Sequence, residues 1–79
     1  MNPLMELISV NPDTCFGKRC IRGTRIWVSL ILDLLASGST VDELLGEYPV
    51  KREDVLAAIV YGAAMTRDRF VDLPHTDAA

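Results

Sequence analysis

Twelve consecutive residues, 55–66, include no charged side chain. Their sequence, VLAAIVYGAAMT, predicts a helix that is apolar around most of its circumference rather than along one stripe. In a chain of only 79 residues, a single face of such a helix can pack against the chain's own core. We therefore expect a second copy of the chain to cover the remaining face in a homodimer with dyad symmetry.

The helical period divides this run into two faces. The residues expected to fill the monomer's core are Val55, Leu56, Ile59 and Ala63. The residues expected to form the dimer interface are Ala58, Tyr61, Gly62 and Met65. Two of the interface residues, Ala58 and Gly62, are small and four positions apart, which lets two helix backbones approach closely. The alternative is that the N-terminal strands fold over this face and bury it within one chain.

Three helices are predicted behind a small N-terminal hairpin. Two short extended segments, 7–10 and 20–21, each end in turn residues, and Gly17 and Gly23 are expected to adopt positive φ. The apolar period changes after Trp27 and predicts a first helix that Gly38 closes. A second helix begins at a Thr40–Glu43 capping box and ends before Pro49, and a third runs from about Arg52 to Arg67. The predicted fold is mainly α.

Four basic residues lie within eight positions that contain no acid, although the whole chain carries a net charge of −3. They are Lys18, Arg19, Arg22 and Arg25. Such a cluster on a hairpin suits phosphate contacts, and a dimer would present it twice. The third helix is poorly suited to recognise bases in the major groove of DNA, because residues 55–66 offer almost no side-chain hydrogen-bond donors. A solvated basic turn without a ligand is the alternative.

Catalytic residues are not indicated, and we expect a protein that is not an enzyme and has no metal or cofactor. The one histidine, His75, lies in a polar tail and is expected to be a solvated side chain rather than a general base. The carboxylates match helix-start positions and are Asp42, Glu43, Glu53 and Asp54. Cys15 and Cys20 lack metal-ligand spacing and are expected to stay reduced. Without a signal peptide or a membrane span, the expected location is cytoplasmic.

Several short motifs occur in a characteristic order along the chain. They are Asn11-Pro12, the CFGK run at 15–18, GTRI at 23–26, LASG at 35–38 and Tyr48-Pro49. Over about residues 7–66 this order resembles domain-of-unknown-function family 433. The resemblance implies a homeodomain-like or winged-helix-like bundle of three helices behind the hairpin. It also implies a VapB-like antitoxin, encoded beside a PIN-like ribonuclease toxin. The sequence departs from the family pattern at Arg19, usually proline, and at Trp27, usually a smaller residue.

The resemblance leads to an expected function and domain organisation. We expect a non-enzymatic antitoxin that neutralises a PIN-type toxin and binds operator DNA through its basic hairpins. A DNA-binding regulator without a toxin and a structural dimerisation module are the alternatives. Residues 1–6 are an N-terminal extension, 7–66 the antitoxin-like domain and 67–79 a C-terminal tail. The tail residues expected to contact the toxin are Arg67, Arg69, Phe70 and Leu73.

Overall fold

A computed structural model describes residues 2–10 and 12–68 of the chain. It is mainly helical, with a two-stranded antiparallel hairpin followed by three helices, as the sequence predicts. A 3₁₀ helix, Pro3–Leu7, precedes the hairpin. The elements that follow are β1 (Ile8–Val10), α1 (Pro12–Cys15), β2 (Arg19–Ile21), α2 (Val28–Ala36), α3 (Val41–Glu47) and α4 (Arg52–Asp68).

The N-terminal region contains more helix than the sequence predicts. Asn2 and Pro3 start the 3₁₀ helix, because the Asn2 side chain accepts a hydrogen bond from the Leu4 N–H at 2.9 Å and proline suits a first helical position. Pro12, expected in a turn, instead opens the short helix α1. The two strands pair with Ser9 opposite Cys20, so the predicted hairpin is confirmed.

Thr24 forms the turn that links the hairpin to the helices. Its hydroxyl donates to the carbonyl of Ile21 at 2.8 Å and accepts from the N–H of Ile26 at 3.0 Å. Because the Ile21 N–H also donates to the Ile26 carbonyl at 2.9 Å, the chain doubles back on β2 within five residues. Gly23, with φ of 80°, occupies the left-handed position that the turn requires. The GTRI motif therefore has a structural role.

The core lies where α4 packs against α2 and α3, and β2 contributes Ile21 to it, whereas the 3₁₀ helix packs on α4 without a buried residue of its own. Its buried cluster comprises Ile21, Val28, Ile31, Leu44, Val50, Val55 and Ala58. The inward face of α4 was predicted only in part, because Val55 is buried whereas Leu56 and Ile59 are 47% and 43% exposed. Ala57 and Ala58 take their place, since small side chains allow neighbouring elements to approach the helix closely.

The ends of the helices follow the predicted capping signals. Thr40 and Glu43 form a complete capping box, in which the Thr40 hydroxyl accepts from the Glu43 N–H at 3.1 Å and the Glu43 carboxylate accepts from the Thr40 N–H at 3.0 Å. Gly38 has φ of 103° just after α2. Among the described residues, no helix has the combined length and hydrophobicity that crossing a bilayer requires.

Lowering the pH is expected to weaken the capping box. Hydrogen bonds from the Thr40 backbone, and secondarily its side chain, hold the pKa of Glu43 below its usual value. The stabilisation is therefore complete above the usual glutamate pKa and is lost as pH falls through the lowered pKa of the folded protein. Glutamine keeps the acceptor but does not titrate.

Unfolding free energies of the wild-type protein and Glu43→Gln, measured between about pH 3 and pH 7, check this expectation. The advantage of the wild-type protein should shrink as the pH falls. A difference that stays constant over this range would contradict it.

Candidate functional site

A groove with a volume of about 310 Å³ opens between the β1–β2 hairpin, α2 and α4. The hairpin contributes two basic residues, Lys18 and Arg19, and both are exposed. The helices contribute mostly apolar side chains. We call this surface the basic-rimmed groove, because cations stand beside an apolar floor. The remaining lining residues are Val28, Ser29, Leu32, Tyr61, Gly62 and Met65.

Lys18 is positioned by an aromatic ring. Its Nζ lies 4.4 Å from the centroid of the Trp27 ring, which is within cation–π distance. Trp27 is itself held by a backbone bridge to Cys20 and directly precedes α2. Trp27, the residue expected to depart from the family pattern, thus places the Lys18 ammonium group at the edge of the groove.

The floor of the groove depends on the absence of a side chain at Gly62. A Cβ at this position would lie 3.2 Å from Cδ1 of Leu32, closer than ordinary van der Waals contact. Gly62 therefore lets α2 and α4 approach each other, while Val28 and Met65 line the space beside the contact. A larger residue at 62 would push Leu32 into the groove or separate the helices.

The four basic residues do not form one surface. Lys18 and Arg19 line the groove, whereas Arg22 bonds to the N-terminal segment. The Arg22 Nε donates to the Glu6 carbonyl at 2.6 Å and Nη2 donates to the Ile8 carbonyl at 3.4 Å. Arg25 is exposed and lies outside the groove lining. Arg22 thus has a structural role that charge patterning did not reveal.

The structure corrects one of the four residues assigned to the dimer interface. Ala58 has no exposed surface, since the chain's own core covers it, so placing it on an uncovered face was wrong. Tyr61, Gly62 and Met65 are partly exposed and line the groove. The N-terminal 3₁₀ helix packs on α4, and the alternative that the N-terminal strands bury this face within one chain stays a prediction. The homodimer itself stays a prediction.

The structure describes one of the four residues predicted to contact the toxin. Arg67 is exposed in the last turn of α4. The other three, Arg69, Phe70 and Leu73, lie outside the described residues. Within residues 2–10 and 12–68, no three His, Cys, Asp or Glu side chains are grouped so that they could hold a metal ion.

The oxidation state of Cys20 differs from the one that the sequence predicts. It is buried and disulfide-bonded, so the expected reduced thiol was wrong for this residue. The prediction rested on the expected cellular compartment rather than on distances, and spacing along the chain does not determine whether two sulfur atoms can meet.

Phe16, in the CFGK run, is a further feature of the surface. It is 86% exposed and has φ of 56°, a left-handed conformation that is uncommon for a bulky residue. It precedes Gly17, which also has positive φ. An aromatic ring is therefore presented to solvent two positions before Lys18, on the segment that forms the groove's basic rim.

Comparisons with known proteins identify the family. A family model described as protein of unknown function, DUF433, matches residues 8–62, well over half of the chain. The crystal structure of a DUF433 member protein from Anabaena variabilis ATCC 29413 has a TM-score of 0.71 and 33% sequence identity. The match covers 78% of this chain and 62% of that one, so the chain spans less than two thirds of that relative's length. No curated protein matches. The chain belongs to the DUF433 family.

Proposed function

We propose that the chain is a non-enzymatic, antitoxin-like protein that neutralises a PIN-type ribonuclease by binding an acidic segment of the nuclease in the basic-rimmed groove. The observation that carries this proposal is the juxtaposition of Lys18 and Arg19 with an apolar floor. The two charges favour a partner with carboxylates, and the floor favours a partner with at least one apolar side chain.

The two requirements define the segment of the nuclease that would bind. Lysine and arginine side chains donate charge-assisted hydrogen bonds to carboxylates, so the rim suits an acidic segment on the surface of the nuclease. The groove volume of about 310 Å³ suits a few apolar side chains rather than a whole folded element. The toxin would therefore contribute an extended or helical segment with carboxylates beside an apolar anchor.

Reversing the charge of the rim is expected to weaken this complex. In the double variant Lys18→Glu/Arg19→Glu, carboxylates would replace both cations and repel an acidic partner, raising the dissociation constant about tenfold. The measurement is calorimetric titration of the purified chain with a purified PIN-type nuclease. The matched control, Arg25→Glu/Lys51→Glu, makes the same change in net charge at exposed positions outside the groove lining.

The apolar floor is tested by a second variant. Ser29 lines the groove and is exposed, so Ser29→Tyr should block the floor without disturbing the core. Ser37→Tyr adds the same ring at an exposed position just after α2. Binding that survives both the rim reversal and Ser29→Tyr would overturn the groove as the site.

Operator binding is the second candidate function, and the exposure of Arg19 in β2 and of Arg25 in the turn that follows favours it. Phosphate contacts by these residues would give an affinity that falls steeply with salt. A chain that binds its own upstream DNA in this way, and shows no affinity for the nuclease, would support the regulator in place of the antitoxin.

A further inference from the structure

The solvent-facing side of α4 carries an unusual apolar stripe. Leu56 and Ile59 are large and nearly half exposed, and Ala63 continues the same side of the helix one turn later. Their spacing of three and four residues places them on one line along the helix axis. We call these three residues the outer stripe. Tyr61 and Met65, which line the groove, lie on the opposite side of the helix.

Charges of opposite sign border the outer stripe at its two ends. Glu53 lies in the first turn of α4 and Arg67 in the last, and both are exposed. Arg52 also lies at the first end, but its guanidinium is bonded to Asp42 of α3 at 2.7 Å. The stripe therefore has a free acidic residue at its start and a basic residue at its end.

We propose that the outer stripe is the interface of a homodimer in which two copies of α4 pack antiparallel. An antiparallel pair brings the first turn of one helix beside the last turn of the other, so that Glu53 meets Arg67 of the second copy. Dyad symmetry forms this ion pair twice. A parallel pair would place Glu53 beside Glu53 and Arg67 beside Arg67, which is repulsive.

The side chains of the stripe are compatible with this register. When Glu53 lies level with Arg67 of the second copy, Ile59 lies between Ile59 and Ala63 of that copy, and Leu56 lies beside its Ala63. The small side chain of Ala63 leaves room for the larger side chains of the opposite helix. The interface is distinct from the groove and leaves the groove open to the proposed partner.

Charge exchange tests the antiparallel arrangement. Glu53→Arg alone and Arg67→Glu alone each replace two attractive pairs by two repulsive pairs, and each should raise the dimer dissociation constant about tenfold. The double variant Glu53→Arg/Arg67→Glu restores opposite charges and should return the constant to about the wild-type value. The measurement is sedimentation equilibrium of the full chain over a range of concentrations.

A matched control separates the interface from general charge effects. Glu47→Arg makes the same charge change at an exposed position on α3 and should leave the constant unchanged. Ile59→Glu should abolish the dimer while circular dichroism shows an intact helical fold, because Ile59 is half exposed in the monomer.

Two results would overturn the proposal. One is a wild-type chain that sediments as a single 8.7-kDa species at high concentration. The other is a dimer that survives Ile59→Glu, or whose single charge variants are not rescued by the double exchange.

Discussion

Replacing Ile31 with alanine is expected to lower the free energy of unfolding by about 3 kcal/mol. Ile31 is only 2% exposed and lies in the buried cluster that joins α2 to the hairpin and to α4. Truncation removes buried methyl and methylene groups and leaves a cavity that the surrounding helices fill only in part. A chain of this length has a total stability of about 4–12 kcal/mol, so the loss is a large fraction of it.

Urea denaturation monitored by circular dichroism measures this effect, and Ile59→Ala is the matched control. The control removes the same atoms from a side chain that is 43% exposed, and it should cost less than about 1 kcal/mol. Both variants are compared at a dilution where the chain is a monomer, because Ile59 lies in the outer stripe. Equal losses at the two positions would contradict the assignment of Ile31 to the buried face of α2 and of Ile59 to the exposed face of α4.

Replacing Thr24 with valine is expected to lower the free energy of unfolding by about 2 kcal/mol. The substitution keeps the shape of the side chain but removes the hydroxyl that bonds both Ile21 and Ile26. Both bonds are partly buried, so water replaces them poorly. Thermal and urea unfolding of Thr24→Val measure the loss.

Thr24→Ser keeps the hydroxyl and provides the control. It should recover most of the lost stability, because serine can make the same two hydrogen bonds. If Thr24→Val were as stable as the wild-type protein, the threonine of the GTRI motif would have to be explained by a contact with a partner instead of by the turn.

The helices could be predicted because their ends are encoded locally. A capping box at Thr40–Glu43 and a glycine after Ala36 involve residues within a few positions of one another, and the structure confirms both. The start of α4 at Arg52 was likewise predicted from the preceding Pro49 and the acidic first turn. Such signals depend little on which distant residues pack against the helix.

The inward face of α4 could not be predicted from the sequence, because both sides of the helix are apolar. Val55 and Ala58 turn inward, whereas Leu56 and Ile59 do not, and the choice depends on which neighbours pack against the helix. The helical period shows which residues share a face, but it does not show which of two apolar faces packs against the core. The 3₁₀ helix that packs on α4 also lacked a periodic signal, since it is only five residues long.

The groove could be predicted only in fragments. Lys18 and Arg19 were singled out by charge, and Tyr61, Gly62 and Met65 by the lack of charge around them, but as two separate surfaces. The structure brings them together because the GTRI turn returns the chain to the start of α2. A contact between residues forty positions apart has no local signal.

The tie between Arg22 and the N-terminal segment is made to main-chain atoms alone. The guanidinium bonds the carbonyls of Glu6 and Ile8, and the Arg22 N–H bonds the carbonyl of Leu7 at 2.7 Å. Every amino acid carries a carbonyl, so these bonds place no demand on the side chains at those three positions. These hydrogen bonds could therefore persist through many substitutions at residues 6–8, provided that Arg22 itself is retained.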